Sequence, residues 1–243
     1  MNKNLLKRIV LTSAIAVLGV STSFAALVME RDQSVDTAPS VGMYRFEVPV
    51  ELQGTYNSAG VANLTASMEK EPNTLSMNVA HVKGNPSESY VVEIYKDLAA
   101  IETHRKSDHY QAFVNEVGSK LTNRKMYDVQ SVLLFEKKDA LSIVNDGKAV
   151  VTLTEFTVDS NEIDTVQRQY QLDMERAVRD DAGYKAGYVL RERNAKNRWY
   201  VIQIYSDQEA LTKHLNSPGY RFMMSQIQGS LQNVTTKVLD GDV

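Results

Sequence analysis

One segment of this chain is written twice. Tyr-Val-Val-Glu-Ile-Tyr-Lys-Asp, starting at Tyr90, returns as Tyr-Val-Ile-Gln-Ile-Tyr-Ser-Asp from Tyr200. The copies keep a constant offset of 110 residues, and no gap is needed. Tyr90, Val91, Ile94, Tyr95, Asp97, Ala100, His104, Ser107, Tyr110, Leu121 and Asn123 each meet their own residue type again, at Tyr200 through Asn233. A repeat of this length is a folding unit used twice, so whatever one half forms the other must form too.

The periodicity within each half fixes the unit. In the first, Met43 to Val50 alternates as a half-buried strand, and Thr55 to Glu69 carries Val61, Leu64 and Met68 at helical spacing. Thr74 to Val82 and Tyr90 to Tyr95 are strands across the turn at Lys83-Gly84-Asn85-Pro86. A helix broken near Ser107 spans Leu98 to Leu121, and Met126 to Phe135 is a fourth strand. The second half repeats the order: a strand at Val150 to Val158, then a helix capped by Ser160, then a hairpin of Gly183 to Glu192 with Trp199 to Tyr205. A broken helix from Asp207 to Gln228 and a strand at Val234 to Leu239 complete it. Each half is therefore βαββαβ, the split βαβ of α+β ferredoxin-like folds.

Such a sheet has helices on one face only and must cover the other. Tyr90, Val92 and Ile94 face one way and Val91, Glu93 and Tyr95 the other, and neither set is strongly polar. The two sheets are expected to pack face to face as an intramolecular dimeric α/β barrel, with an enclosed apolar cavity between them. The predicted layout is a leader at 1–25, a flexible lead-in at 26–41, repeats at 42–138 and 149–243, and a linker at 139–148.

The leader rests on Lys3, Lys7 and Arg8, the short apolar run Ile9 to Val20, and the small-x-small pattern Ser23-Phe24-Ala25. The run falls short of the ~20 apolar residues of a membrane span. Cleavage after Ala25 would take the formal charge from −3 to −6 and leave a periplasmic or secreted protein with no membrane attachment. Positive charge is concentrated on no predicted face, which argues against nucleic acid. Four His and no Cys give little material for a metal site, and stability without Cys does not depend on redox conditions.

The segment Ile94-Tyr95-x-Asp97-x-x-Ala100-x-x-x-His104-x-x-Ser107-x-His109-x-x-Ala112-Phe113 resembles the antibiotic biosynthesis monooxygenase family, which includes quinol monooxygenases and has the dimeric α/β-barrel architecture. The second half keeps Tyr205, Asp207, Ala210, His214 and Ser217 but has Gly219 and Met223 for His109 and Phe113. The resemblance implies oxidation of a quinol or related aromatic by dioxygen with no cofactor and no metal. A haem-degrading branch is disfavoured. Its members carry Trp where His104 and His214 stand, a ligating His where Val114 and Met224 stand, and an Asn on the first strand that this chain lacks.

Chemistry of that kind needs a dry pocket, a group that takes the phenolic proton and donors where negative charge collects. The catalytic candidates are His104, His109, Tyr95 and His214, and the substrate-binding candidates are Asn78, His81, Tyr110, Tyr188, Tyr205 and Tyr220. Each has a plainer explanation. His104 and His214 stand at helix ends, where an imidazole can bond the last carbonyls. Tyr95 and Tyr205 suit strand packing, and His109 marks either the one active half or the surface. Asp97, Asp207, Ser107 and Ser217 read as helix caps, and Trp199 as cover for the hairpin edge. With three His against one, the first half is the expected seat of chemistry. Two functions stay open: a cofactor-independent monooxygenase, or a non-catalytic ligand-binding or stress-associated barrel, either of which could self-associate.

Overall fold

The computed structural model describes residues 25–28, 39–137 and 147–241. The expected leader, most of the lead-in and most of the linker lie outside the described residues. The lead-in opens with a short strand, β1 (Ala25–Val28), laid antiparallel on β6.

The first repeat runs β2 (Ser40–Glu47), α1 (Gln53–Lys70), β3 (Thr74–Val82), β4 (Asn85–Tyr95), α2 (Leu98–Lys106), α3 (Asp108–Glu116), β5 (Thr122–Tyr127) and β6 (Val129–Glu136). The second runs β7 (Val150–Val158), α4 (Ile163–Asp180), β8 (Tyr184–Glu192), β9 (Arg198–Tyr205), α5 (Gln208–Asn216), α6 (Pro218–Ile227) and β10 (Leu231–Gly241). Helix α4 starts without a side-chain cap after Glu162, so Ser160 does not cap it. The predicted fourth strand of the first half is two segments, broken only at Asp128.

All strands belong to one sheet in the order β1-β6-β8-β9-β7-β10-β3-β4-β2-β5. The break at Asp128 explains how it closes. β5 lies antiparallel to β2 in its own half, whereas β6 lies antiparallel to β8 in the other. β10 does the same in mirror fashion: it follows β7 along most of its length, then its last residues, Leu239 to Gly241, pair with Val82 to Ala80 on β3. Each fourth strand thus begins at home and ends on its twin, which shuts the sheet into a barrel. Asn123 and Asn233 are the only non-glycine residues with positive φ among the described residues, at 43° and 52°. Both stand where the register of the fourth strand slips. Asn tolerates that left-handed backbone, which accounts for its place in the repeat.

The helices cover the outer face of each half-sheet, and three apolar clusters result. Two lie between sheet and helices, one per half. The third is shared: Met43, Tyr90, Val92, Ile94 and Tyr127 of the first half pack against Leu153, Tyr188, Leu190, Tyr200 and Ile202 of the second. Among the described residues, packed side chains therefore stand where the chamber between the sheets is expected. Facing sheets stand ~10 Å apart, and tyrosines reaching inward from both halves fill that space, as in the edge contact of Tyr127 with Tyr200 at 5.3 Å between centroids. Leu190 is fully buried in the shared cluster. Leu190→Ala should lower the unfolding free energy by about 2–5 kcal/mol, and urea unfolding should remain one coincident transition by fluorescence and circular dichroism.

Candidate functional site

A cavity lies under the helices of the first half. It has a volume of about 150 Å³ and is bounded by β2, β3 and β4 on one side and by α1, α2 and α3 on the other. Its walls are largely apolar, with Leu64, Met77, Val79, Val91, Ile101 and Phe113. Polar groups enter from Asn63, Glu93, Tyr95, His104, Arg105 and Tyr110, among others.

Local sequence places the imidazole. Asp97 caps α2 by accepting from the Ala100 amide at 2.9 Å. Ser107 ends α2 and starts α3, accepting from the Tyr110 amide at 3.3 Å. The break sets His104 in the last turn of one helix beside His109 and Tyr110 in the first turn of the next. The His104 ring is 4.8 Å from that of Tyr110 and 5.6 Å from that of Tyr95.

The helix-end explanation of this histidine does not hold, because its side chain bonds no terminal carbonyl. Nδ1 meets the two carboxylate oxygens of Glu71 at 3.1 and 3.2 Å, with the Ser67 hydroxyl at 3.3 Å. Glu71 also accepts from the Thr74 hydroxyl at 2.6 Å and bonds His109 Nε2 at 2.7 Å. Burial alone would raise the Glu71 pKa, but these donors, Thr74 and His104 foremost, hold it below the ordinary value. An ionised Glu71 fixes the proton of neutral His104 on Nδ1. Nε2 is then a lone-pair acceptor, and it is buried with no partner among the described residues. Burial, opposed by Glu71, pushes the His104 pKa below its usual value, so the ring is a free base at neutral pH.

Glu93 is the one carboxyl among the lining residues. Burial is the main cause that raises its pKa to about 7, with Tyr95 and Arg105 opposing and Glu71 adding to the rise. The Tyr95 hydroxyl donates to it at 3.0 Å. Tyr95 holds its own proton, since burial and the neighbouring Glu93 push its pKa far up.

The other expected site residues fall in four places. His109 is neither on the surface nor in the cavity wall; its side chain is 15 % exposed and backs Glu71. Asn78 and Tyr188 meet across the barrel interior, where Ser76 bonds both at 3.0 Å and Tyr188 donates to Glu136. His81 is half-buried near the end of β3, away from the lining residues. His214, Tyr205 and Tyr220 come together in the second half, with ring centroids 5.5 and 5.0 Å from His214.

Glu71, His104 and His109 offer ligand atoms within 4.8 Å of one another, a spacing that would also admit a cation. They bond one another directly, and in the second half the guanidinium of Arg176 takes the place of the His109 ring. It bonds Asp181 at 2.9 Å and Ser217 at 3.2 Å, and a Cβ on Gly219, the counterpart of His109, would collide with it. The group reads as a buried carboxylate with its charge compensated.

The antibiotic biosynthesis monooxygenase family matches this sequence twice, at residues 41–116 and 149–225. The chain belongs to that family. A candidate monooxygenase from Lactobacillus acidophilus NCFM shares the fold at a TM-score of 0.74 and 18 % identity, over 85 % of this chain and 95 % of that one. A second, from Fusobacterium nucleatum, does so at 0.73 and 21 %, over 85 % and 94 %. An anthrone oxidase-like protein shares the fold at 0.52 and 11 %, over 85 % and 92 %. No curated protein matches.

The two monooxygenase domains differ in whether the space under the helices is empty. Gly60, where a Cβ would meet nothing within 4 Å, corresponds to Tyr170. Ser89 corresponds to Trp199, which is fully buried and does not cover the hairpin edge. Tyr170 stacks on Phe156, the counterpart of the lining residue Phe46, at 5.9 Å, and Phe156 stacks on Trp199 at 6.4 Å, so the ring of Tyr170 enters the space that Gly60 leaves open in the first domain. The residues that sequence reasoning missed, Glu71, Asn63 and Glu93, had a signal: their counterparts Asp181, Asp173 and Gln203 keep a polar group at the same offset.

Glu71 and His104 both have folded pKa values below their ordinary values of 4.5 and 6.5. The stability they contribute is present above the unfolded histidine value, declines once pH falls below 6.5 and then below 4.5, and is lost as pH falls through each group's lower folded value. In thermal melts, the deficit of a Glu71→Gln, His104→Gln double variant relative to the native protein should shrink as pH falls from 7.5 to 4.

Proposed function

We propose that the first domain oxidises a single-ring hydroquinone or related phenol with dioxygen, using His104 as the base. The supporting observation is His104 Nε2: an unpartnered acceptor, buried in an apolar cavity and held in one tautomer by Glu71. The cavity of about 150 Å³ is the size at which an apolar site takes up benzene, which favours one ring over three.

The phenolic proton goes to Nε2, and the imidazolium formed is compensated by Glu71 across Nδ1, with His109 and Thr74 holding that carboxylate in place. The resulting phenolate is electron-rich enough to react with dioxygen in a space that excludes water. A hydroquinone supplies all four electrons itself: the ring gains one oxygen, the other leaves as water, and the product is a hydroxyquinone. No external reductant enters the balance. Under this reading the second domain is a partner that completes the barrel, and residues 1–25 are a leader that sends the protein out of the cytoplasm. Peptide mapping of the protein from its native host should then find Ala26 as the first residue.

Oxygen uptake with a panel of substituted hydroquinones tests the activity. His104→Ala should lower kcat/KM by about 10²- to 10⁴-fold, while His214→Ala should leave it within about twofold. Equal loss from both substitutions would remove His104 as the base. Tight binding of hydroquinones with no oxygen uptake would favour a ligand-binding protein.

A further inference from the structure

Comparing the two domains position by position locates a gap in the first that the second has closed. In the second, His214 Nε2 has two close neighbours, Asp173 Oδ2 and Gln203 Nε2, each at 3.4 Å. The residues at those positions in the first domain are Asn63 and Glu93, and both line the cavity with His104. Neither bonds His104 Nε2, which has no partner, and the Oδ1 of Asn63, itself about nine-tenths buried, has none either. Three polar side chains therefore line the cavity at the positions whose counterparts converge on one point in the second domain. A ligand oxygen at that point would meet the imidazole from α2, the amide from α1 and the carboxyl from β4.

From this geometry we propose that Glu93 is the second catalytic residue of the cavity, its carboxyl O–H donating to the ligand oxygen whose proton His104 takes. The proposal rests on the reading of His104 as a base and adds the group that receives the negative charge. The phenolic O–H bond breaks, its proton and no electrons pass to Nε2, and the Glu93 proton stays on Glu93 in a hydrogen bond to the oxyanion. One Glu93 oxygen already accepts from Tyr95, which leaves the other for the ligand.

The titratable and charged groups around Glu93 are Tyr44 on β2, Tyr95 on β4, His104 and Arg105 on α2, Tyr110 on α3, and Glu71 at the end of α1. Arg105 and the Tyr95 hydroxyl favour the carboxylate, while burial and Glu71 favour the acid. Below neutrality the acid donates to an oxyanion; above it the carboxylate repels one. A buried neutral carboxyl is a strong donor to such a charge. Gln203 in the sister domain shows that an amide fits the same site in this fold.

The test is binding of 4-nitrophenol, whose ionised form absorbs separately, to the native protein and to Glu93→Gln between pH 6 and 9. The amide keeps a donor but cannot ionise, and taking the ratio of the two affinities cancels both the probe's own ionisation and that of His104. The ratio should be near one at pH 6, with the native protein at least tenfold weaker at pH 9. Tyr95→Phe, which removes the donor favouring the carboxylate, should move the midpoint of that change to higher pH. A ratio that stays constant with pH overturns the role of Glu93, and so does failure of the native protein to bind 4-nitrophenol at all. His104→Gln separates the two readings. If it leaves binding of the ionised probe unchanged, the base assignment falls while the Glu93 ratio still decides this one.

Discussion

The structure depends on covering the inner faces of two half-sheets. A four-stranded sheet with helices on one side leaves Tyr90, Val92 and Ile94 in water, and their counterparts Tyr200, Ile202 and Ile204 likewise. Packing one set against the other removes both from solvent. The exchange of fourth strands at Asp128 and along β10 follows from it, because closed sheets leave few unpaired edge groups. Neither half is a complete domain alone, since each lends its last strand segment to the other's sheet.

That arrangement moves the chemistry outward. With tyrosines of both halves packed in the barrel interior, the cavity described above lies between a sheet and its own helices. The break between α2 and α3 governs what faces that space. It needs Asp97 and Ser107 as caps, and it turns His104 and Tyr110 toward the strands while Glu71 approaches from the end of α1. The second domain keeps every one of these backbone features, but Tyr170 stands where Gly60 leaves room and stacks on Phe156. Covalent linkage makes the two sites independent of each other in evolution. A homodimer would have to fill both sites or neither.

Charge follows the same division. In the first domain Glu71 is hydrogen-bonded to two imidazoles, and its outward consequence is a free Nε2. In the second, Arg176 bridges Asp173 and Asp181, and the imidazole of His214 is bonded on both nitrogens. A permanent cation and a ring paired on both nitrogens make a poor base. A ring with one nitrogen open is kept in the half that has room for a ligand.

The offset of 110 residues, the alternation along β4 and β9, and the caps at Asp97, Ser107, Asp207 and Ser217 were all readable in the sequence, because each depends on neighbours within a few residues or on the repeat itself. The barrel followed from the apolar character of both strand faces, and His104 was legible as a candidate from its recurrence. Location and partnership were not. That Glu71 rather than a carbonyl meets His104, that Asn78 and Tyr188 face the barrel interior while Glu93 faces the cavity, and that Trp199 fills a space rather than covering an edge all depend on contacts between residues far apart in the chain. Sequence alone determined the repeated unit and its closure, because those follow from local periodicity and the need to bury apolar faces. Only the tertiary structure decided which of two equivalent spaces is empty, because that depends on how side chains from four or more elements share one volume.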